Sequence, residues 1–310
     1  MKIKKIERIS NKECFYDQGG YFIINGGEKV VVAQEKMANN FVYVFHNKEN
    51  SSYSWEAEIR SYKDNSNKPP SKFALKLAKG AHGTMILDTE DQGEMLQPIR
   101  CSVRNLNRPI PLVILFRALG IVSDKEIFQN ICYDLKDTAM MDLLTGSFRE
   151  AKYHLTAESA KSFIGACSLA SKEERYKYAE MVLQKELLPH LGTDENSYAK
   201  KALFIGYMVN RLCNSALGIT GEDDRDHYGK KRLDLVGVLL GNLFRQKFLQ
   251  FTREARDEFS RAIDKSSESI CIYNLFQIES ITHSLRYALS TGNWGTTATG
   301  DVAKHGVAQE

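Results

Sequence analysis

Residues 108–134 read RPIPLVILFRALGIVSDKEIFQNICYD, and the pattern of the chain changes across them. Pro109 and Pro111 remove backbone donors and fix φ, so a regular element ends or begins there. After the apolar run 112–119, Ser123-Asp124-Lys125-Glu126 has capping-box spacing: the serine oxygen accepts the amide three residues on, and the glutamate reaches back. The helix this opens sets Ile127, Ile131 and Leu135 at i, i+4 and i+8, one apolar face.

On the N-terminal side the residues favour strands. YFII at 21–24 and KVVVA at 29–33 flank Asn25-Gly26-Gly27. Asn-Gly between β-formers marks a tight hairpin, because its positive φ angles cost Gly nothing and Asn little. Residues 41–45, 54–61, 73–77 and 97–103 read as further strands, and NSNKPPS at 65–71 as a loop.

On the C-terminal side the spacing turns helical. A short helix is expected at 158–166 and a longer one at 172–188, ending before Pro189. Residues 197–217 set Leu203, Tyr207, Asn210, Cys213 and Leu217 at helical intervals. Residues 230–262 stay helical throughout, with Leu233, Val236, Leu240, Phe244, Phe248 and Phe251 forming a stripe expected to pack into a core. A last helix at 278–289 leads to a Gly/Thr-rich tail expected to be a flexible loop, and the stop at Glu310 reads as a truncation. The fold class is α+β: a sheet-rich first part and a largely helical second part with one long helix.

Charged residues make up 26% of the chain and the net charge is only +3, so a basic surface must come from local clustering. Cys14, Cys101, Cys132, Cys167, Cys213 and Cys271 show no C-x-x-C pair, which disfavours a zinc site and suits buried free thiols. No apolar run approaches membrane-spanning or signal-peptide length. No Walker loop or nucleophile elbow is present. His190, after a proline at a helix end, reads as a partner of the helix dipole rather than a base.

The run DDRDHYGKKRLDL at 223–235 carries the most chemistry. Asp223, Asp224, Asp226 and His227 could be ligands, but four in five consecutive residues cannot all converge on one ion. They read better as an acidic cap on a helix starting near Gly229. Lys230, Lys231 and Arg232 suit phosphate contact beside a glycine, though such runs are commonly solvated surface.

Several blocks, in order, resemble the second-largest (β-like) subunit of multisubunit RNA polymerases. They are CFYDQGGYFIINGGEKVVVAQEK at 14–36, the 108–134 stretch, KELLPH at 185–190 with ALFIGYMVNRL at 202–212, DDRDHYGKKRLDLVG at 223–237, and LRYALSTGNWG at 285–295. The wording of CFYDQGG and KKRLDL is nearest to the polymerase II branch.

The resemblance implies a protrusion domain at 1–89, a lobe at 90–225, helices returning to the protrusion at 226–286, and the start of a fork loop at 287–310. It implies a nuclear, non-catalytic portion of a nucleotidyltransferase, inactive alone. Its partners would be the largest subunit and other polymerase subunits, the DNA template and the RNA–DNA hybrid, with initiation or elongation factors on the lobe. Catalytic magnesium would be held mainly by the largest subunit, and the family's zinc cysteines lie outside these residues. Lys230, Lys231 and Arg232 are the expected phosphate contacts, with Asn293, Trp294, Lys304 and Gln309 near the hybrid. Two departures stand out: TTATGDVAKH at 296–305 offers only Lys304 where the family's fork loop carries several cations, and Val238 replaces a proline.

Overall fold

In a computed structural model the chain is described at residues 14, 16–17, 19–64, 69–79, 97–134, 136–168, 171–265, 279–296, 302–304 and 307–309. The fold is α+β. It divides into two units, Met37–Lys230, and Met1–Lys36 with Lys231–Glu310. The boundary expected at 89/90 instead falls inside the first of these, because strands on either side of it pair directly.

Strands β1 (Phe22–Ile24) and β2 (Gly27–Val31) form the expected hairpin, and Asn25 and Gly26 take φ of 52° and 80° at its turn. β3 (Gln34–Met37) follows. β4 (Val42–His46), β5 (Tyr53–Ser61), β6 (Ser71–Ala78), β7 (Ile99–Val103) and β8 (Ile110–Pro111) make one antiparallel sheet in that order. Alternation is clearest in β7, where Ile99, Cys101 and Val103 are buried and Arg100 and Ser102 half-buried.

The helices of this unit are α1 (Leu112–Ala118), α2 (Asp124–Ile131), α3 (Thr138–Glu150), α4 (Ala157–Ala166), α5 (Arg175–Met181) and α6 (Tyr198–Ala216). All seven residues of α1 are buried, so it packs on every side, with Arg117 the one charged side chain among them. Ile59, Leu75 and Ile110 of the sheet share a core with Phe116, Ile205, Met208 and Leu212. Gly206 lets α6 cross α2 closely: a Cβ there would lie 2.1 Å from the Asn130 carbonyl oxygen. Beside it, the buried Asn210 amide donates to the Ile131 carbonyl at 2.9 Å, satisfying an end of α2 that has no intrahelical donor.

Three local expectations change. Ser123 precedes α2 in extended geometry but makes no side-chain cap bond; the neighbouring Asp124 accepts from the buried Arg117 guanidinium at 2.7 Å instead. The helix expected at 172–188 is interrupted: α5 passes into a π-helical turn at Val182–Glu186, and Leu188 takes a left-handed φ of 46°. On α6, Asn210 and Cys213 are buried, but Leu203 and Tyr207 are exposed, because the sheet and α2 take the neighbouring face of Ala202, Ile205, Val209 and Leu212. Cys101, Cys132, Cys167 and Cys213 are buried free thiols as expected. Burial pushes Cys132 up to about 11 and Cys213 up to about 12, so both stay protonated and inert. Cys14 is exposed, and Cys271 and Leu135 lie outside the described residues.

The other unit contains β1, β2 and most of β3 together with β9 (Lys231–Asp234), α7 (Val236–Lys265), α8 (Glu279–Thr291), β10 (Asn293–Thr296), β11 (Val302–Lys304) and β12 (Val307–Gln309). The long helix therefore begins after a strand that pairs with β3, rather than at Gly229. The tail is not simply a loop either. β10 and β11 pair antiparallel, and β12 joins β2 with Val307 opposite Val31. A small core gathers Val31, Leu239, Leu243, Ala288, Leu289 and Trp294. The expected stripe on α7 stays largely uncovered: Leu233 lies in β9 and is exposed, as are Phe244 and Phe248. Among the described residues no helix is long and apolar enough to cross a membrane.

Candidate nucleic-acid interface

The acidic half of the 223–235 run lies along the outer edge of β4. The Asp223 amide donates to the Val44 carbonyl and the Val44 amide donates back to Asp223 Oδ2, both at 2.8 Å. The His46 amide donates to Glu222 Oε2 at 3.2 Å. An edge strand carries unpaired backbone groups, and these carboxylates and amides occupy some of them. The segment is thus a sheet-edge clasp, not the solvated helix cap that its composition suggests.

Asp223 is the hub of the clasp. Arg211 from α6 meets its Oδ2 at 3.0 Å and also donates to the Val42 carbonyl at 2.8 Å. Lys230 closes on its Oδ1. Burial alone would raise the Asp223 carboxyl. The Lys230 hydrogen bond, the Val44 amide and the charges of Arg211 and Lys230 outweigh it and hold the group below the ordinary carboxylate range. The Lys230 ammonium also sits 5.4 Å from the Phe41 ring centre, and its carbonyl accepts the Ala38 amide at 2.8 Å. Arg225 stacks over Phe45 at 3.6 Å.

No ligand set emerges from this cluster. The Asp224 carboxylate accepts the Asp226 amide at 2.9 Å, and His227 Nδ1 accepts the Gly229 amide at 3.1 Å. Among the described residues no three His, Cys, Asp or Glu side chains are grouped to hold a metal ion.

In the other unit, Lys231 pairs with Glu35 at 3.3 Å, and Lys36 with Asp234 at 2.7 Å. The exposed Arg232 donates through one guanidinium nitrogen to the Lys231 carbonyl at 2.7 Å. Trp294 is buried, and its indole N–H donates to the Leu239 carbonyl at 3.1 Å. Asn293 is half-buried, and its amide donates to the Tyr287 hydroxyl at 3.1 Å. Lys304 lies in β11 opposite Asn293, and Gln309 lies in β12 opposite Lys29. Within this unit, then, Asn293 and Lys304 come together by strand pairing, whereas Gln309 belongs to a separate sheet.

His190 is held away from the helix-dipole role expected of it. It occupies a short 3-10 turn, and its Nδ1 lies 2.7 Å from the buried Ser61 hydroxyl. Burial, reinforced by the Lys201 charge, lowers its pKa and favours the neutral ring. Lys201 itself went unmarked in the sequence. Its buried ammonium donates to the Leu183 and Gln184 carbonyls at 2.8 Å each, where the π turn frees acceptors. Burial lowers it to about 8, against the pull of Asp194. Arg211 was missed as well; only the acidic pair downstream signals that a cation must meet it.

A family model described as RNA polymerase Rpb2, domain 2, matches residues 38–234. The chain is 46% identical over 286 residues to DNA-directed RNA polymerase II subunit 2 of Arabidopsis thaliana, covering 91% of this chain and 23% of the relative. It is 42% identical over 303 residues to DNA-directed RNA polymerase II subunit RPB2 of Schizosaccharomyces pombe, covering 96% and 24%. It is 32% identical over 286 residues to DNA-directed RNA polymerase subunit Rpo2 of Sulfolobus acidocaldarius, covering 92% and 23%. The chain spans about a quarter of the length of the curated relatives it matches. Since the family model takes in well over half of its residues, the chain belongs to the RNA polymerase Rpb2, domain 2 family.

Proposed function

We propose that this chain is a portion of the second-largest subunit of DNA-directed RNA polymerase II, acting in the nucleus. There it would line the cleft and position DNA and the RNA–DNA hybrid without supplying catalytic groups. The observation that carries the reading is the match over more than nine tenths of the chain to subunits of that name, extending to an archaeal counterpart. On this reading the Met37–Lys230 unit corresponds to the lobe. The other unit corresponds to the protrusion and the beginning of the fork. Its partners are the largest subunit and the remaining polymerase subunits. The magnesium-assisted transfer belongs to groups outside this chain.

Nucleic-acid contact would be to phosphates and independent of sequence, as transcription of any template requires. Among the candidate residues Arg232 leads, because it is the exposed one of the three cations, Lys230 and Lys231 being half-buried. Lys304 and Asn293, opposite each other in β10 and β11, are the second candidates. Trp294 and Gln309 would act by fixing the strands around these two. Co-purification of the tagged chain with a largest polymerase subunit tests the assembly, and absence of that subunit would reject it. A salt titration of hybrid binding tests the contact. Arg232→Ala should reduce the slope of log K against log salt by about one, and an unchanged slope removes Arg232 from the interface.

A second reading, a scaffold whose lobe surface binds transcription factors, is favoured by a cleft of about 610 Å³ in the Met37–Lys230 unit.

A further inference from the structure

The cleft lies far in sequence from the 223–235 run. Its walls come from the end of β5 (Ser61, Tyr62, Lys63), from Arg104 and Asn105 after β7, and from the π turn and the segment following it. Its volume is in the range of sites that hold ligands, and several features build it. The π turn is a rare geometry that concentrates at functional sites. Asn105 lines it and Leu188 directly precedes the lining Pro189, and these are two of the four described non-glycine residues with positive φ; such backbone persists only where surrounding contacts hold it. Those contacts are visible. Lys201 holds the Leu183 and Gln184 carbonyls, the Ser71 hydroxyl donates to the Glu186 carbonyl at 2.8 Å, and Ser61 engages His190.

The charges lining the cleft identify what it takes. Lys63, Arg104 and Lys185 converge from three separate elements, and none of them has an ion-pair or hydrogen-bond partner among the described residues. Glu186 and Asp194 line the same cleft. A nucleic-acid strand would have to lay phosphates against those carboxylates as well as the cations. A peptide can alternate acidic with apolar side chains, and Tyr62, Pro69 and Pro189 offer apolar wall. We infer that this cleft is a docking site for a short, acidic, aromatic-containing peptide segment of a partner protein. The inference deepens the scaffold reading and rests on it; the nucleic-acid reading does not depend on it.

The test uses the whole chain and a fluorescein-labelled peptide in which Asp and Glu alternate with Phe, followed by anisotropy. Saturable binding is expected. The double variant Lys63→Glu/Lys185→Glu should weaken it about tenfold or more. The control Lys125→Glu/Lys152→Glu makes the same change in net charge at exposed positions outside the cleft lining and should leave binding unchanged. Lys63 and Lys185 are exposed, so the unfolding midpoint should not move. Absence of saturable binding overturns the inference. So does an equal loss in both double variants, or displacement of the peptide by a single-stranded oligonucleotide that shows the same sensitivity to Lys63 and Lys185. None of these outcomes bears on co-purification with a largest subunit, so the two readings fail separately.

Discussion

Helices α6 and α7 each carry a periodic apolar face and use it in opposite ways. α6, in the Met37–Lys230 unit, buries ten of its 19 residues, including a lysine, an asparagine and two serine or glycine positions that only close packing explains. α7, in the other unit, is 30 residues long, yet only Leu239 and Leu243 are buried among its described side chains. Periodicity in sequence identifies an apolar face; it does not say whether anything lies against it. On α6 the sheet and α2 lie against it. On α7 the small core touches the first two turns, and Phe244, Phe248 and Phe251 continue along the helix as a ladder with ring centres 5.9 and 6.3 Å apart.

The largest effects should come from the packing of α6 in the Met37–Lys230 unit. Gly206→Ala would drive a methyl into the backbone carbonyl of Asn130, which cannot rotate away. The expected loss is about 3 kcal/mol, at the upper end of overpacking costs. Leu212→Ala, at a fully buried site, should cost about 2–5 kcal/mol. Denaturant unfolding measures both. If Gly206→Ala were as stable as the parent, the close crossing of α2 and α6 would be wrong.

The clasp on β4 comes next. Asp223→Asn keeps an acceptor for the Val44 amide but loses the charge facing Arg211 and Lys230. With these side chains 12 to 29% exposed, a loss of about 1–2 kcal/mol is expected, less than for a fully buried pair. The native carboxyl is held below its unfolded value, so its contribution is present above that value and disappears as pH falls through the native one. The stability gap between parent and variant should therefore narrow in acid. A gap independent of pH would mean that Asp223 acts through shape alone.

These residues also show where sequence reading reached its limit. The hairpin at Asn25-Gly26, four of the five strands of the main sheet and the helices at 124–131, 157–166 and 279–291 were legible because each rests on local φ preference or local spacing. The domain boundary was not. β6 and β7 pair across the residues between them, and register between distant strands has no local signal. The clasp was illegible for the same reason: Asp223 and Val44 are 179 positions apart. Composition marked the 223–235 run as charged but could not show that Asp223 faces inward to a strand edge while Lys230 answers it.

A smaller effect of opposite sign is expected on α7. Gly241 has only the Arg245 guanidinium near its would-be Cβ, at 3.8 Å. Gly241→Ala should therefore stabilise the chain by about 1 kcal/mol, through the lower entropy cost of fixing alanine in a helix. Paired with Gly206→Ala, it makes the contrast between the helices a difference of sign. Destabilisation at Gly241 would show that the mid-portion of α7 is covered after all.

The smallest effect should come from the aromatic ladder. Phe248 is 45% exposed and Phe244 46%, so truncating either removes little buried area. What is lost is the stacking between neighbours, worth about 0.5–1.5 kcal/mol for an aromatic pair, and serine has about the same helix propensity as phenylalanine. Phe248→Ser should thus change the unfolding free energy of the chain by less than about 1 kcal/mol, while Leu243→Ser, on the buried side of the same helix, costs several times more. Self-association supplies the second readout: an exposed apolar stripe promotes it, so Phe244→Ser/Phe248→Ser should shift sedimentation toward monomer. If Phe248→Ser destabilised the chain as much as Leu243→Ser, the ladder would have to be buried, and the difference between α6 and α7 would be one of degree rather than of kind.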